Sequence, residues 1–264
     1  MIEAATRTEE IARLLREAGE NRRTVPPLRD HLAPDDAAGA YAVQEANTRH
    51  WLAAGRRLVG RKIGLTARAV QKQLGVDQPD YGMLFADMAF ADAEEIPISR
   101  LIQPKIEGEI AFVMGRDLDG DQITVVDLIA AVDYALPAFE VVDSRIADWK
   151  ITFADTVADN ASSALFVLGT QPRKLGDIDL RACGMVVQRE GEAVSMGSGA
   201  ACLGNPLTAT LWLARKMAEV GRPLKAGDIV LSGALGPMVP VSGGESYELT
   251  IAGLGSVRAR FSRD

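Results

Sequence analysis

Hydrophobic and polar positions divide this chain into a helical beginning and a longer region of short strands. Apolar residues recur at helical spacing within the first twenty positions, at Ile11, Leu14, Leu15 and Ala18. Thr6 and Glu9 have the pattern of a capping box and Gly19 is a stop signal, so they bound the first predicted helix. A second helix is predicted over 35–54, after a proline-containing loop over 22–34.

From residue 57 onward the pattern changes to short apolar runs that Gly, Pro and Asp interrupt. Strands are predicted near 57–64, 106–114, 135–143, 163–168, 183–188, 228–232 and 246–261, and helices at 66–74, 124–132 and 205–220. Because strands outnumber helices without regular alternation, the pattern argues against a Rossmann fold or a TIM barrel and predicts an α+β fold with a mixed, antiparallel-rich sheet. We expect a helical lead-in over 1–56 and a mixed-sheet domain over 57–264, which together can count as one domain.

Two of the predicted strands carry three acidic residues. Glu107 and Glu109 stand two positions apart and therefore project from one face of a strand, with Cα atoms about 6.5 Å apart. Glu140 is the single charge in the apolar run 135–142. A lone carboxylate in a buried strand costs several kcal/mol unless it is paired or bound to a cation. Three oxygen ligands without His or Cys suit Mg²⁺ or Mn²⁺ better than zinc.

A solvated strand face is the ordinary alternative for Glu107 and Glu109. The opposite face of this strand is apolar, with Ile106, Gly108, Ile110, Phe112 and Met114. The glutamate face itself continues with Ala111 and Val113, so it is not simply a solvent face. Together with Glu140, this pattern favours a metal site.

Composition and charge narrow the class of partner. The net charge is −7, the isoelectric point is about 5.1 and Lys and Arg are scattered, which argues against nucleic acid or an anionic membrane and predicts a small-molecule partner. No stretch approaches the ~20 apolar residues of a spanning helix, and the first residues do not resemble a signal peptide, so a cytoplasmic location is expected. Cys183 and Cys202 lack metal-site spacing and are expected to be reduced thiols.

Five motifs, in order through nearly the whole chain, carry a family resemblance. They are GRKIGLT (60–66), GVDQPDYG (75–82), PKIEGE (104–109), ADNAS (158–162) and GALGPM (233–238). Together they resemble the 2-oxopent-4-enoate (2-hydroxypenta-2,4-dienoate) hydratases of aromatic meta-cleavage pathways, within the fumarylacetoacetate hydrolase superfamily. One departure is Gly108, where Ala is expected; because it faces away from the acids, we expect it to change packing and not chemistry.

The resemblance implies a fold, a metal and a reaction. The fold is a mixed β roll of the fumarylacetoacetate hydrolase C-terminal type, and the metal is held by Glu107, Glu109 and Glu140. The reaction is a hydro-lyase reaction: C5 of the dienol is protonated, water adds at C4, and 4-hydroxy-2-oxopentanoate forms. The resemblance also implies a homo-oligomer, and association with a downstream aldolase or another enzyme of the pathway.

Three residues are candidates for acid, base or substrate-binding roles. His31 and His50 are the only histidines and lie in the helical lead-in, so Lys and carboxylates must serve. Lys62, in a Gly-flanked strand, is a candidate to orient the substrate or relay a proton, although a solvent-facing Lys is the alternative. Asp80, in an expected turn, is a candidate to activate water, against a plain turn role. Ser162 is a candidate to donate its hydroxyl and backbone N–H to the substrate carboxylate, against local turn hydrogen bonds.

The segment 233–238 is the candidate for the uncharged end of the substrate. Leu235, Gly236 and Met238 are predicted to contact the tail, although Met238 suits a core strand equally well. The rival within the same family is a 4-oxalocrotonate-type decarboxylase, which would need a cation for a second carboxylate, and this segment has none. A non-catalytic metal-dependent binder or scaffold subunit is the rival of another class, and Lys62 and Asp80 argue against it.

Overall fold

The computed structural model describes residues 2–264, with side chains described for 5–72 and 75–264. The helices are α1 (Ile2–Glu20), α2 (Ala37–Ala53), α3 (Arg68–Leu74), α4 (Val125–Ala131), α5 (Phe153–Ala158) and α6 (Pro206–Glu219). The strands are β1 (Leu58–Gly64), β2 (Asp80–Phe85), β3 (Ala89–Phe90), β4 (Glu95–Ile96), β5 (Lys105–Met114), β6 (Val132–Val142), β7 (Ser163–Leu168), β8 (Gly184–Arg189), β9 (Glu192–Ser198), β10 (Ile229–Leu231), β11 (Val239–Pro240), β12 (Ser246–Ile251) and β13 (Gly255–Phe261).

The described strands form two sheets. The larger sheet has the order β2-β1-β10-β5-β6-β7-β3, with β11 also paired to β5. The smaller sheet has the order β4-β13-β12-β8-β9. Most neighbours are antiparallel, and the parallel pairs are β1 with β10, β3 with β7 and β4 with β13. The prediction of an α+β fold with a mixed, antiparallel-rich sheet is therefore confirmed.

The two sheets pack against each other through the long central strands of the larger one. Buried side chains of both sheets, among them Ile106, Ile110, Leu249 and Val257, share one hydrophobic core. Gly108 lies at this contact, where a Cβ atom would stand 2.8 Å from Leu249 Cδ1 and 3.3 Å from Met185 Sδ. This position agrees with the expectation that Gly108 changes packing and not chemistry, because a side chain there would point into the smaller sheet.

The N-terminal helices form a second core with α5. Ile11, Leu15 and Val43 pack with Phe153 and Val157 in this cluster. The buried side-chain amide of Gln44 donates to the carbonyls of Tyr81 and Val157, which fixes α2 against β2 and α5. The division of the chain at residue 56 stays a prediction.

Several predicted elements are confirmed, with shifted ends. β7 has the predicted bounds, and the 205–220 helix is present as α6, with the Asn205 side chain accepting from Leu207 N at 2.9 Å and Pro206 in the first turn. The second predicted helix is α2, with Asp36 as its cap. The predicted start at Thr6 is wrong, because α1 begins at Ile2. The segment 246–261 is a hairpin of β12 and β13, not one strand.

Some elements were not predicted from the sequence. β2 contains Asp80 and Gly82, residue types that are depleted in strands, and α5 is only six residues long. β9 begins directly after the left-handed residues Glu190 and Gly191 and pairs with β8. Cys183 and Cys202 are buried free thiols, as expected. No helix of the described residues is both long and apolar enough to span a membrane.

Candidate metal and substrate site

Three carboxylates converge where β5 and β6 lie side by side. The antiparallel register places Glu107 opposite Glu140, so their side chains share one face of the sheet, and Glu109 follows two positions along that face. Each of the three offers a carboxylate oxygen within 4.8 Å of the other two. The sequence placed these side chains on two segments, and the structure brings them to one point. Metal binding by them stays a prediction.

Three of the six carboxylate oxygens in this cluster accept no hydrogen bond from the described residues. Glu109 and Glu140 are completely buried, and neither Glu140 oxygen nor Glu109 Oε1 accepts a hydrogen bond from the described residues. The other Glu109 oxygen accepts from the Gly233 backbone N–H at 2.8 Å. An unsatisfied buried polar group costs on the order of 2–7 kcal/mol. The cluster therefore has the oxygen ligands that a divalent ion needs, and the charge of such an ion would stabilise the buried carboxylates.

The electrostatics of the cluster shift the acids toward their neutral forms. Burial, followed by the charge of Glu140, raises the pKa of Glu107 to about 7. Burial and the charges of Glu140 and Glu107 raise the pKa of Glu109 well above its ordinary value, although the Gly233 N–H partly opposes this. Without a metal ion, the carboxyl groups of Glu107 and Glu109 therefore tend to keep their protons, and a bound cation would displace them.

Lys62 extends from β1 to the carboxylates and is 3% exposed, not solvent-facing. Its Nζ lies 3.1 Å from Glu140 Oε1 and donates to the Ala161 carbonyl at 3.0 Å. Burial by itself lowers the pKa of Lys62, but the nearby carboxylates of Glu140 and Asp80 outweigh burial, so the pKa is raised. Lys62 is therefore a fixed ammonium group at the edge of the cluster.

Asp80 is the first residue of β2, paired with Gly64, so the predicted turn position is wrong. Its carboxylate is buried, and Oδ2 accepts a long hydrogen bond of 3.5 Å from Thr156 Oγ1. Burial raises the pKa of Asp80 to about 6, although the charge of Lys62 opposes the shift. At neutral pH this side chain is mainly ionised and close to its pKa, as a general base requires.

Ser162 ends a tight turn over Asn160–Ser162. All three residues are left-handed, with φ values of 54°, 52° and 53°, a conformation that costs a non-glycine residue roughly 1–3 kcal/mol. The Ser162 hydroxyl lies 3.4 Å from the Thr156 hydroxyl. The backbone N–H of Ser162 donates to the Asp159 carbonyl at 3.0 Å, so the predicted role of this N–H in holding the substrate does not fit. Ser162 lines the cavity described below, and the role of its hydroxyl stays a prediction.

An apolar cavity of about 380 Å³ opens from these polar groups. Its polar end has Lys62, Asp80, Glu107, Thr156 and Ser162. Its apolar walls include Leu65, Val70, Trp149, Ile151, Pro237 and Met238. The cavity thus offers one charged end and one uncharged end.

The segment 233–238 contributes to this cavity differently from the prediction. Gly236 and Met238 line it, and Met238 is 41% exposed and not in the core. Leu235 does not line it, because its side chain is completely buried in the main core. The Leu235 backbone is held between the two sheets, with its N–H donating to Gly108 O and its carbonyl accepting from Ser198 N, each at 3.0 Å. The predicted contact of Leu235 with the substrate tail is therefore wrong.

The sequence profile of the fumarylacetoacetate (FAA) hydrolase C-terminal family matches residues 41–262. The chain belongs to this family. The match includes every strand of both sheets and all residues of the candidate site, and it excludes α1. The part of the chain that matches the FAA hydrolase family therefore contains the whole candidate site.

Relatives of this FAA hydrolase family member are similar along nearly their whole lengths. The chain is 62% identical over 252 residues to TodF product hydratase of Pseudomonas putida strain F1, covering 96% of this chain and 94% of the relative. It is 61% identical over 255 residues to 2-keto-4-pentenoate hydratase 1 of Dechloromonas aromatica, covering 97% of each. Among solved structures, 4-oxalocrotonate decarboxylase from Pseudomonas putida G7, complexed with magnesium and adipate, matches with a TM-score of 0.91 and 38% identity, covering 96% of this chain and 97% of that one.

Two site residues of this FAA hydrolase family member were missed from the sequence. The Thr156 hydroxyl lies between Asp80 and Ser162, and Trp149 forms part of the apolar wall. Thr156 lies two residues before the 158–162 motif, and this proximity was the only signal for it. Trp149 lies in a loop with left-handed residues, where no periodicity marks a lining residue. His31 and His50 are exposed and do not line this cavity, as expected.

Proposed function

We propose that this protein is a divalent-metal-dependent hydratase that converts 2-hydroxypenta-2,4-dienoate into 4-hydroxy-2-oxopentanoate. The observation that carries the proposal is the convergence of three carboxylates beside Lys62 and Asp80 at the polar end of an apolar cavity. Relatives more than 60% identical over nearly the whole chain have hydratase names, one of them 2-keto-4-pentenoate hydratase. The names of these relatives and the chemistry of the site both support a hydration reaction.

A divalent ion fits the carboxylate cluster because the ligands are all oxygen atoms and three of the six carboxylate oxygens accept no hydrogen bond from the described residues. Glu107, Glu109 and Glu140 would hold it, and we propose Mg²⁺ or Mn²⁺. The magnesium complex of the 38% identical decarboxylase supports this choice. When bound, such an ion supplies Lewis-acid stabilisation of negative charge on the C2 oxygen of a 2-oxo acid.

The protein side chains at the polar end have complementary tasks. The Lys62 ammonium attracts and orients the anionic substrate, and the Ser162 hydroxyl donates to its carboxylate. Asp80 takes a proton from water as the water oxygen adds to C4. In the complete reaction the C2 hydroxyl of the dienol loses its proton, C5 and C3 each gain one proton, and C4 gains the hydroxyl of water. The enol proton and the remaining proton of water account for the two new C–H bonds, so dienol plus one water balances with the hydroxy-oxo product.

The apolar end of the cavity favours the hydratase over the decarboxylase. Among the residues lining the cavity, Lys62 is the one cation, and it already contacts Glu140. A second carboxylate at the apolar end, beside Ile151 and Pro237, would lose its hydration without gaining a partner. A non-catalytic binder would not need an acid with a pKa of about 6 beside the metal ligands, as Asp80 has.

Purified protein tests this proposal directly. The enzyme is mixed with freshly generated 2-hydroxypenta-2,4-dienoate and Mg²⁺ or Mn²⁺, and dienol absorbance is followed while product and CO₂ are analysed. We expect the absorbance to fall, 4-hydroxy-2-oxopentanoate to appear, and no CO₂ to be released. Release of CO₂ from a 2-hydroxymuconate-type dicarboxylate at a higher kcat/KM would instead assign the decarboxylase, and substrate binding without turnover would assign the binder.

We also propose, on the family resemblance, a cytoplasmic homo-oligomer. The product of the proposed reaction is a 4-hydroxy-2-oxo acid, and a retro-aldol reaction breaks the C3–C4 bond of such an acid. This chemistry supports association with an aldolase, or with another enzyme that consumes the product. Co-elution of this chain with such an aldolase in size-exclusion chromatography, compared with each protein alone, tests the association.

A further inference from the structure

Arg145 lies behind the candidate site, across the turn Asn160–Ser162. Ala161 and Ser162 line the substrate cavity, whereas Asp159, Asn160 and Arg145 line a second cavity of about 500 Å³ between the N-terminal helices and the larger sheet. The turn is therefore the wall between the two cavities. Arg145 reaches this wall from the side opposite to Lys62.

The guanidinium group of Arg145 gathers four acceptors around the turn. Nε donates to the Asp159 carboxylate, and Nη2 donates to the Asp159 carbonyl at 2.5 Å. Nη1 donates to the carbonyls of Asp143 at 2.6 Å and Ser163 at 3.3 Å. These contacts join the end of β6 to residues directly before and after the left-handed turn. A planar fork with fixed donor directions suits this task, and a lysine ammonium cannot reproduce it.

The turn requires such support because three consecutive non-glycine residues are left-handed. The Asn160 side chain supplies part of it, accepting from Met83 N at 2.7 Å and donating to Met83 O at 3.0 Å. Asn160 ties the turn to β2, and Arg145 ties it to β6. Between these two anchors, the Ala161 carbonyl accepts from Lys62 Nζ at 3.0 Å, and Ser162 lines the cavity.

We propose that Arg145 is a positioning residue of the hydratase site, acting through the turn Asn160–Ser162 on Lys62 and Ser162. The proposal rests on the proposed function, since it concerns turnover of the same substrate. Arg145 does not contact the carboxylate cluster, so it acts on the substrate-orienting groups and not on the metal ligands. Its ion pair with Asp159 holds the turn from the side of the second cavity.

The test uses the full-length protein with its divalent ion. Arg145→Ala is expected to lower kcat/KM for the dienol by roughly 10–100-fold, up to the loss that a misplacement of about 1 Å causes. Mn²⁺ affinity is expected to be unchanged. Because Arg145 borders an open cavity, added guanidinium can enter the space left by its side chain. Guanidinium well below denaturing concentrations is expected to restore much of the rate, whereas methylammonium is not, and Arg145→Lys is expected to remain impaired.

Arg215→Ala is the matched control, since Arg215 also donates to a backbone carbonyl, that of Ile123 at 2.8 Å, away from this turn. It is expected to keep the wild-type rate and to show no guanidinium response. A folded Arg145→Ala variant with wild-type turnover, or with a loss that guanidinium does not reverse, overturns the proposal. If both Arg145 variants fail to fold, the proposal is also overturned, because Arg145 then serves the stability of the fold. A wild-type protein without hydratase turnover refutes the proposed function itself, which keeps the two failures distinguishable.

Discussion

Gly64 and Asp80 face each other across β1 and β2 so closely that a Cβ atom on Gly64 would lie 2.2 Å from Asp80 Oδ1. The same Cβ would stand 3.5 Å from Lys62 Nζ. The absence of a side chain at Gly64 therefore creates the space in which the Asp80 carboxylate lies near Lys62. A glycine that looked like a strand end in the sequence is part of the site geometry.

Gly64→Ala is expected to displace the Asp80 carboxylate and lower turnover, because the added methyl group and the carboxylate cannot occupy the same space. A loss of about 10²-fold is expected, as for other misplacements of about 1 Å. Steady-state kinetics with saturating Mn²⁺ measure it. Gly75→Ala is the control for a glycine substitution in a neighbouring loop, since none of the described atoms lies within 4 Å of a Cβ there, although its positive φ makes a small loss of stability expected. Wild-type turnover of Gly64→Ala would contradict the packing argument.

Asp80→Asn is expected to keep metal binding and to lose turnover by roughly 10²–10⁴-fold, the range for a positioned acid or base. Removal of a negative charge cannot weaken the binding of an anion through lost attraction, so affinity for the inert chelating analogue oxalate should not fall. Calorimetry with Mn²⁺ and oxalate, beside kinetics, separates the two effects. If the Asn variant turned over at the wild-type rate, water activation would have to be assigned to another group.

Replacing Glu107, Glu109 or Glu140 individually with Gln is expected to lower divalent-ion affinity and turnover steeply in each variant, since a ligand charge is lost while shape is kept. Mn²⁺ titration followed by paramagnetic relaxation of water protons measures the affinity. Glu248→Gln is a matched control, because Glu248 is an exposed acid on β12, outside the cluster. Normal Mn²⁺ binding by Glu107→Gln would rule out the three-carboxylate site.

Stabilisation by the metal is expected to grow with pH. The folded protein without metal holds a proton on Glu107 up to a pKa of about 7, above the ordinary value of 4.5, and one on Asp80 up to about 6, above 3.8. Between the ordinary and raised values the folded state binds more protons than the unfolded state, so the free energy of unfolding falls as pH rises through this window. A divalent ion binds the ionised carboxylates and offsets that loss.

Thermal unfolding measures this linkage. The rise in Tm on adding Mn²⁺ to metal-free protein should be larger at about pH 8 than at about pH 5. Glu107→Gln should reduce the difference, because the glutamine does not titrate. An equal rise at both pH values in the wild-type protein would show that the cluster does not exchange protons for the ion.

A substrate with a second, distal carboxylate is expected to be much poorer than the pentadienoate, because the apolar wall formed by Ile151, Pro237 and Met238 offers it no partner. The ratio of kcat/KM for the two substrates measures the discrimination. Met238→Lys should narrow the ratio by supplying a cation, whereas Met196→Lys, at a residue that does not line the cavity, should not. Preference for the dicarboxylate in the wild-type protein would contradict this prediction.

Local features of the sequence predicted much of this molecule. The spacing of Glu107 and Glu109 placed both on one strand face, and the Asn205 cap with Pro206 predicted the start of α6. Both features depend only on residues close in sequence, so local backbone geometry is enough to predict them. Asp80 was chosen as a candidate from its motif and was expected in a turn, because Pro79 and Gly82 are typical turn residues. Pairing of Asp80 with Gly64 overrode that local preference.

Residue patterns along the chain were therefore enough to predict the strand-rich fold class, the candidate acids and the resemblance to a family. Three features depend on long-range packing: Glu140 lies opposite Glu107, Lys62 reaches Glu140 from another strand, and Leu235 faces the core and not the cavity. Strand register and the orientation of loop side chains follow from which surfaces are buried together across the whole chain. Side-chain periodicity repeats within a few residues and so is readable in sequence, whereas pairing joins residues far apart and is fixed only when the core forms.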